Sequence, residues 1–426
     1  MRVKYSKLLI LALASTLCLV VIYSTLKDGV HPQRDLIEIQ SITTDTNRKP
    51  TTTKVKPIIK KKSKNDTPLE LPPLTISEDF MKYIPKNGAY WNRKLHSLLR
   101  QFDVAENQTR EDPRHWFQCK PESFELLQTN IQDIQSYPPL YKDFLKGMEC
   151  RDPPVVIDQP TKCESGNEAE QVFLLFAIKS TFNHFERRQA VRETWGREGS
   201  YDNGVQVRTV FLLGRSLQDD PNLDQLISLE AQQFRDLIVW DFEDSFYNLT
   251  LKEHVFFKWM LDNCPQASFV FKGDDDVFAN TQAILNHLHS LEPAQASSLY
   301  TGQIISDAAP LRDQKIKYYV PQTFYEGPYP PYAGGGGFLF SGHLLPYLYH
   351  VSFYIPFFPI DDVYTGMCFK ALGINPVKHS GFQTFDIREQ DRENACVHND
   401  LLLVHQRTPQ QTMRLWRNMH SSMLTC

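Results

Sequence analysis

No CxxC pair occurs anywhere in the chain, so the common zinc frameworks lack their spacing. Neither sign of charge is in excess: the formal net charge is -4, which offers no basic surface for nucleic acid and no acidic, solvating character. No internal repeat marks a solenoid. The glycine run Gly334 to Gly337 is followed by Phe338 and Leu339, where a nucleotide P-loop would carry lysine and a hydroxyl. The acid run Asp274 to Asp276 fails as an EF-hand, because Phe278 stands two residues beyond it and Leu285 occupies the place of the closing glutamate. Partners therefore have to be read from individual sites.

What is present is a globular composition, 41% hydrophobic and 23% charged over 426 residues, enough for a large core and more than one ordinary domain. Leu8 to Leu26 is an apolar run of bilayer length behind Arg2, Lys4 and Lys7. It reads as a signal anchor with residues 1–7 in the cytosol, and it is too long and lacks the small-residue cleavage site for a signal peptide. Everything after it would then be luminal, which agrees with the Asn-x-Thr acceptors at Asn65, Asn107 and Asn248. Of the eight cysteines, Cys18 lies in the apolar run; the other seven suit up to three disulfides and one thiol, with the pairing open.

Residues 27–85, rich in Thr, Lys and Pro, read as a flexible stem. Residues 86–170 gain aromatics and three cysteines and read as an N-terminal cover on the main domain. From 171 to 426 strands alternate with helices. The runs Val172 to Ile178, Val207 to Leu213, Leu237 to Trp240 and Phe269 to Phe271 are apolar on both faces, as buried parallel strands are. Helices are expected between them, opened by cap-box pairs at Asn183/Glu186 and Thr250/Glu253, and a further one is capped by Asn280 or Thr281. The fold class is α/β with a mostly parallel, doubly wound sheet, whose ligands gather beyond the C-terminal strand ends.

Asp274, Asp275 and Asp276 stand at such an end. Carboxylates side by side next to a buried strand repel, and a cation relieves them. Few hard oxygen ligands suit Mn2+ or Mg2+ shared with substrate phosphates. The glycine run, entered by Pro330, Pro331 and Tyr332, reads as a loop that brings backbone close to a ligand. Asp361 and Asp362 fit a helix start, and beside a metal cluster either could take a proton from an alcohol. His405, after Leu401 to Val404, is a core histidine unless it meets Asp276. Lys179, Arg187, Arg188 and Arg192 follow the first strand and would suit a diphosphate.

The motifs AIKS (177–180), RRQAVRETWG (187–196), VFLLG (210–214), YNLTLKE (247–253), FKGDDDVF, KYYVP, YPPYAGGGGF and PIDDVYTGMC occur in the order of glycosyltransferase family 31. Over roughly Tyr90 to Cys426 the chain resembles its β-1,3-N-acetylglucosaminyltransferases, which extend poly-N-acetyllactosamine. The resemblance implies a Golgi membrane enzyme, single-pass type II, with a Rossmann-like GT-A domain. It would transfer GlcNAc from UDP-GlcNAc with inversion to galactose-terminated acceptors, using Mn2+ or Mg2+. By the same resemblance Asp276 and His405 ligate the metal, Asp274 and Asp275 contact the donor, and Lys179, Arg187 and Arg192 line its nucleotide and phosphates. Asp362 is the general base, with Asp361, Gly335 and Gly336 on the acceptor side. The family also admits homo- or hetero-oligomers with other glycosyltransferases. The rivals are β-1,3-galactosyl transfer on the same scaffold and a non-catalytic luminal glycan binder.

Overall fold

The computed structural model describes residues 71–104, 119, 121–164, 171–216 and 221–426. The expected span at 8–26, most of the stem, and the acceptors Asn65 and Asn107 lie outside the described residues. Among the described residues no helix is long and apolar enough to cross a membrane.

Twelve strands are described: β1 (Val155–Ile157), β2 (Val172–Lys179), β3 (Gly199–Ser200), β4 (Gln206–Arg215), β5 (Leu237–Glu243), β6 (Phe269–Asp274), β7 (Val277–Ala279), β8 (Tyr300–Ile305), β9 (Tyr332–Ser341), β10 (Val377–Lys378), β11 (Phe382–Gln383) and β12 (Leu403–His405). The main sheet runs β1-β5-β4-β2-β6-β9-β8-β10. It is parallel from β5 through β4 and β2 to β6, and antiparallel at β1/β5, β6/β9 and β9/β8. The four expected strands are thus its parallel heart. Their apolar runs are continuous because both faces are covered: Leu174, Phe176 and Ile178 of β2 enter one core, and Leu175 and Ala177 the other.

From β2 the chain moves outward through β4 and β5, then crosses back to β6 on the other side of β2. Between the C-terminal ends of β2 and β6 lies a topological switch point, the crevice where open α/β sheets bind ligands. Register puts Lys179 opposite Asp274 there. A second, three-stranded sheet, β11-β12-β7, grows from the same corner and pairs His405 with Val277.

The helices depart from the expected caps in two places. After β2, α1 (Phe185–Glu193) takes His184 as N-cap in place of Asn183, and the His184 side chain makes no capping bond to the helix. After β5, α2 (Leu249–Asn263) starts before Thr250, whose hydroxyl reaches Phe358 O at 2.6 Å, and Glu253 is buried 3.0 Å from Lys272. A capping-box spacing was satisfied in sequence, but tertiary partners claimed both side chains. By contrast Asn280 caps α3 (Thr281–His289) as expected, accepting from Ala283 N at 3.1 Å.

Disulfides join Cys119 to Cys150, Cys163 to Cys264 and Cys396 to Cys426, leaving Cys368 as a buried thiol. The middle bridge ties the segment before β2 to the end of α2, and β1 of that segment adds an edge strand to the sheet. Packing begins before residue 86, where the stem was expected to end: Phe80 and Ile84 are buried in the core.

Candidate active site

The site is built where β2, β6, β9 and β12 converge. Asp274 ends β6, and the chain turns through Asp275 and Asp276 into β7. Because β12 pairs with β7 at His405 and Val277, the imidazole stands beside the preceding residue: His405 Nε2 is 3.2 Å from Asp276 Oδ1. One ligand atom each from Asp274, Asp276 and His405 lie within 4.8 Å of one another. Asp276 and His405 were expected together; Asp274 joins them.

This donor set fits a divalent cation. His405 Nδ1 lies 2.9 Å from the Thr384 carbonyl, which can only accept, so Nδ1 carries a proton and Nε2 is the ring atom turned toward Asp276, a ligand atom once it has given up any proton of its own. Two carboxylates and one imidazole suit Mn2+ or Mg2+. Burial opposes the charge of His405, but the Asp276 carboxylate outweighs it and raises the imidazole above its ordinary value. Asp274 is held above the usual carboxylate range, chiefly by burial, with Asp276 and Asp361 adding repulsion against the pull of Lys179.

Asp275 is a correction. Its side chain is 4% exposed and both oxygens are occupied, by Ser180 Oγ at 2.6 Å, His184 Nδ1 at 2.8 Å and Arg187 Nη1 at 3.1 Å. In the turn after β6, Asp275 points into the protein while Asp274 and Asp276 stay open to the crevice. There it orients Arg187, whose Nη1 also reaches Asp276 Oδ2 at 3.1 Å. Sequence reasoning passed over His184 and Ser180; Ser180, immediately after the strand-end Lys179, carried the only positional signal.

Arg192, expected on the phosphates, faces another way. It chelates Asp236 at 2.7 and 2.8 Å, pairs with Glu230 at 2.7 Å and lies over the rings of Phe211 and Phe234. Arg188, fully buried, shares Glu230. On a helix residues four apart share a face, so Arg188 and Arg192 of α1 meet on Glu230, whereas Arg187, five residues before Arg192, turns to the crevice. Arg192 holds structure together.

Lys179 bridges two parts of the site. Its Nζ is 2.7 Å from Asp361 Oδ2, 3.1 Å from Asp274 Oδ1 and 3.3 Å from the Gly335 carbonyl. Burial disfavours its charge, yet Asp274 and Asp361 overcome this and hold the ammonium well above the ordinary lysine value. Asp361 and Asp362 open α4 (Asp361–Ala371), as their composition suggested, where the helix dipole favours anions. Burial also opposes ionisation of Asp361, but Lys179 holds its carboxyl below the ordinary value. Asp362 makes no direct ion pair with Lys179, which pulls on it only at longer range. Burial first, and then the Asp361 charge, push its carboxyl up to about 7, while Val363 N and Gly335 N donate to it at 2.8 and 3.1 Å.

The glycine run is not a loop. It lies within β9, and its missing side chains make room for the site's own groups. A Cβ on Gly335 would stand 3.2 Å from Asp362 Oδ2, and one on Gly336 3.4 Å from both the His405 ring and the Thr384 methyl. On Gly337 it would collide with Leu403 at 2.3 Å. Asn248 is half-buried as the N-cap of α2, its Nδ2 donating to Glu243 O at 2.9 Å.

A crevice that pairs a hard-cation cluster with a carboxyl poised near neutrality is equipped to accept a phosphorylated donor and to take a proton from a nucleophile. The galactosyltransferase family model matches residues 186–380, which include Arg187, the acid run, the glycine strand and Asp362, while Lys179 and His405 lie outside the match. An N-acetyllactosaminide beta-1,3-N-acetylglucosaminyltransferase 2 from Homo sapiens is 45% identical over 360 residues, 82% of this chain and 89% of that protein, and its Mus musculus counterpart is 46% identical over the same shares. UDP-GlcNAc:betaGal beta-1,3-N-acetylglucosaminyltransferase 7 from Rattus norvegicus is 40% identical over 69% of this chain and 74% of its own length. With 45% identity over 82% of its length to one such transferase, the chain belongs to the galactosyltransferase family, glycosyltransferase family 31.

Proposed function

We propose that this protein transfers GlcNAc from UDP-GlcNAc, with inversion, to the 3-hydroxyl of a terminal β-galactose, extending N-acetyllactosamine-type glycans. The observation that carries the reading is Asp362: a carboxyl pushed up to about 7, held by Gly335 N–H in the same crevice as the Asp274, Asp276 and His405 cluster. A base of that strength is half-ionised at neutral pH and suits abstraction of an alcohol proton. The relatives' names supply the donor and the linkage.

Asp276 and His405, with Asp274 beside them, would hold Mn2+ or Mg2+, whose charge offsets that of the departing UDP. The chain's own groups do the rest. Asp362 takes the proton of the acceptor hydroxyl as it attacks the sugar's anomeric carbon from the face opposite UDP, and one displacement turns an α-linked donor into a β-linked product. Lys179 keeps Asp361 ionised, and that charge in turn keeps Asp362 basic. Arg187, oriented by Asp275 and 35% exposed, is placed to meet the donor phosphates.

The finer reading is a GT-A enzyme of the Golgi membrane, with residues 8–26 as signal anchor, residues 27–85 largely as stem, residues 86–170 as cover and the catalytic part luminal. The test is a donor panel. The full chain with Mn2+ and N-acetyllactosamine should release UDP from UDP-GlcNAc far faster than from UDP-galactose. A preference for UDP-galactose overturns the donor, and UDP binding without turnover on any galactose-terminated acceptor overturns the enzyme in favour of a luminal binder.

A further inference from the structure

In the pairing of β8 with β9, Gly302 stands opposite Phe338 and Ile304 opposite Ala333. Gln303 alone therefore faces the four residues Gly334 to Gly337, a bulge of the kind that re-aims a side chain. Freed from the ladder, the Gln303 side chain reaches the Thr384 peptide, whose N–H donates to Gln303 Oε1 at 2.5 Å. The same Thr384 carbonyl accepts from His405 Nδ1 at 2.9 Å. The Thr384 methyl is seated against the glycine strand, 2.8 Å from where a Cβ of Gly334 would lie and 3.4 Å from one on Gly336. Two hydrogen bonds and a close-packed methyl thus fix Thr384, and Thr384 in turn fixes the tautomer and direction of the imidazole.

We infer that Gln303 is a positioning residue for the cation site, acting through the backbone of Thr384, whose N–H it accepts, to hold His405 Nε2 toward Asp276. The inference rests on the metal reading of the Asp274, Asp276 and His405 cluster. Partners that orient a ligating histidine typically change metal affinity 10- to 100-fold when lost. Gln303 supplies that support one residue further out, from a different strand, and it touches neither donor nor acceptor in this account.

The experiment is a titration of the full chain with Mn2+ alone, following the free ion by its electron paramagnetic resonance signal, alongside steady-state turnover at varied Mn2+. Gln303→Leu should weaken Mn2+ binding at least tenfold and raise the Mn2+ concentration for half-maximal turnover by the same factor, with kcat at saturating Mn2+ within about threefold of wild type. Gln303→Glu, which keeps an acceptor oxygen at the same reach, should restore wild-type affinity. If Gln303→Leu does not fold, Gln303→Asn, one methylene short, carries the same expectation. Wild-type Mn2+ affinity in the Leu or Asn variant, or equal weakening in the Glu variant, overturns the positioning role while leaving the metal reading intact. Mn2+ binding in His405→Ala equal to that of wild type overturns both.

Discussion

Asp361 and Asp362 are consecutive carboxylates at the start of one helix whose proton affinities are driven apart, Asp361 below its ordinary value and Asp362 up to about 7. Lys179 Nζ lies 2.7 Å from Asp361 and keeps it ionised; Asp362, turned to Gly335 N–H instead, is raised by burial first and then by its neighbour's charge, which together outweigh the more distant pull of Lys179. Two like groups in contact cannot both ionise freely, so fixing the charge on one makes the other the base.

Asp362→Asn should lower kcat/KM by about 10³-fold or more while the fold survives, since base catalysis is commonly worth 10²–10⁴. Initial rates with UDP-GlcNAc and N-acetyllactosamine check this. Activity within tenfold of wild type would remove Asp362 as base.

The same carboxyl ties activity and stability to pH in opposite directions. Its folded value, about 7, lies above the ordinary 3.8, so the folded state binds its proton more tightly. The stability it contributes is complete below pH 3.8 and is lost as pH rises through 7, while wild-type turnover climbs through the same window. Thermal midpoints of wild type and Asp362→Asn should accordingly diverge in favour of the variant between pH 5 and pH 8.

Lys179→Met strands two carboxylates, and removing one partner of a buried ion pair costs about 3–5 kcal/mol. Denaturant midpoints should show that loss. Adding Asp361→Asn should recover part of the stability but none of the activity, a positive coupling measurable in a double-mutant cycle.

Arg187→Ala and Arg192→Ala separate binding from scaffolding. The first should raise the KM for UDP-GlcNAc about tenfold with little change in melting, from loss of a charge-assisted contact to phosphate. The second should lower the melting temperature, because Asp236 and Glu230 lose their partner, and leave the KM of the folded enzyme within about twofold.

Gly335→Ala and Gly337→Ala divide the glycine strand in the same way. A methyl on Gly335 presses on Asp362 at 3.2 Å and should reduce turnover more than stability. On Gly337 it meets Leu403 at 2.3 Å and Phe271 at 2.9 Å inside the core, and overpacking there should cost about 1–3 kcal/mol.

What the sequence determined by itself was local or carried by motif. Apolar runs covered on both faces marked β2, β4, β5 and β6, an acid run at a strand end marked the site, and the ordered motifs marked the family and its pairing of Asp276 with His405. Tertiary structure decided direction and partnership. It turned Asp275 inward, gave Arg192 to Asp236 and Glu230, drew Glu253 from a helix cap to Lys272, and made the glycine run a strand. It also set Gln303 on Thr384 and so on His405. The physical reason is that periodicity along the chain fixes which face a residue takes, whereas what it meets there depends on strand register between segments tens to hundreds of residues apart.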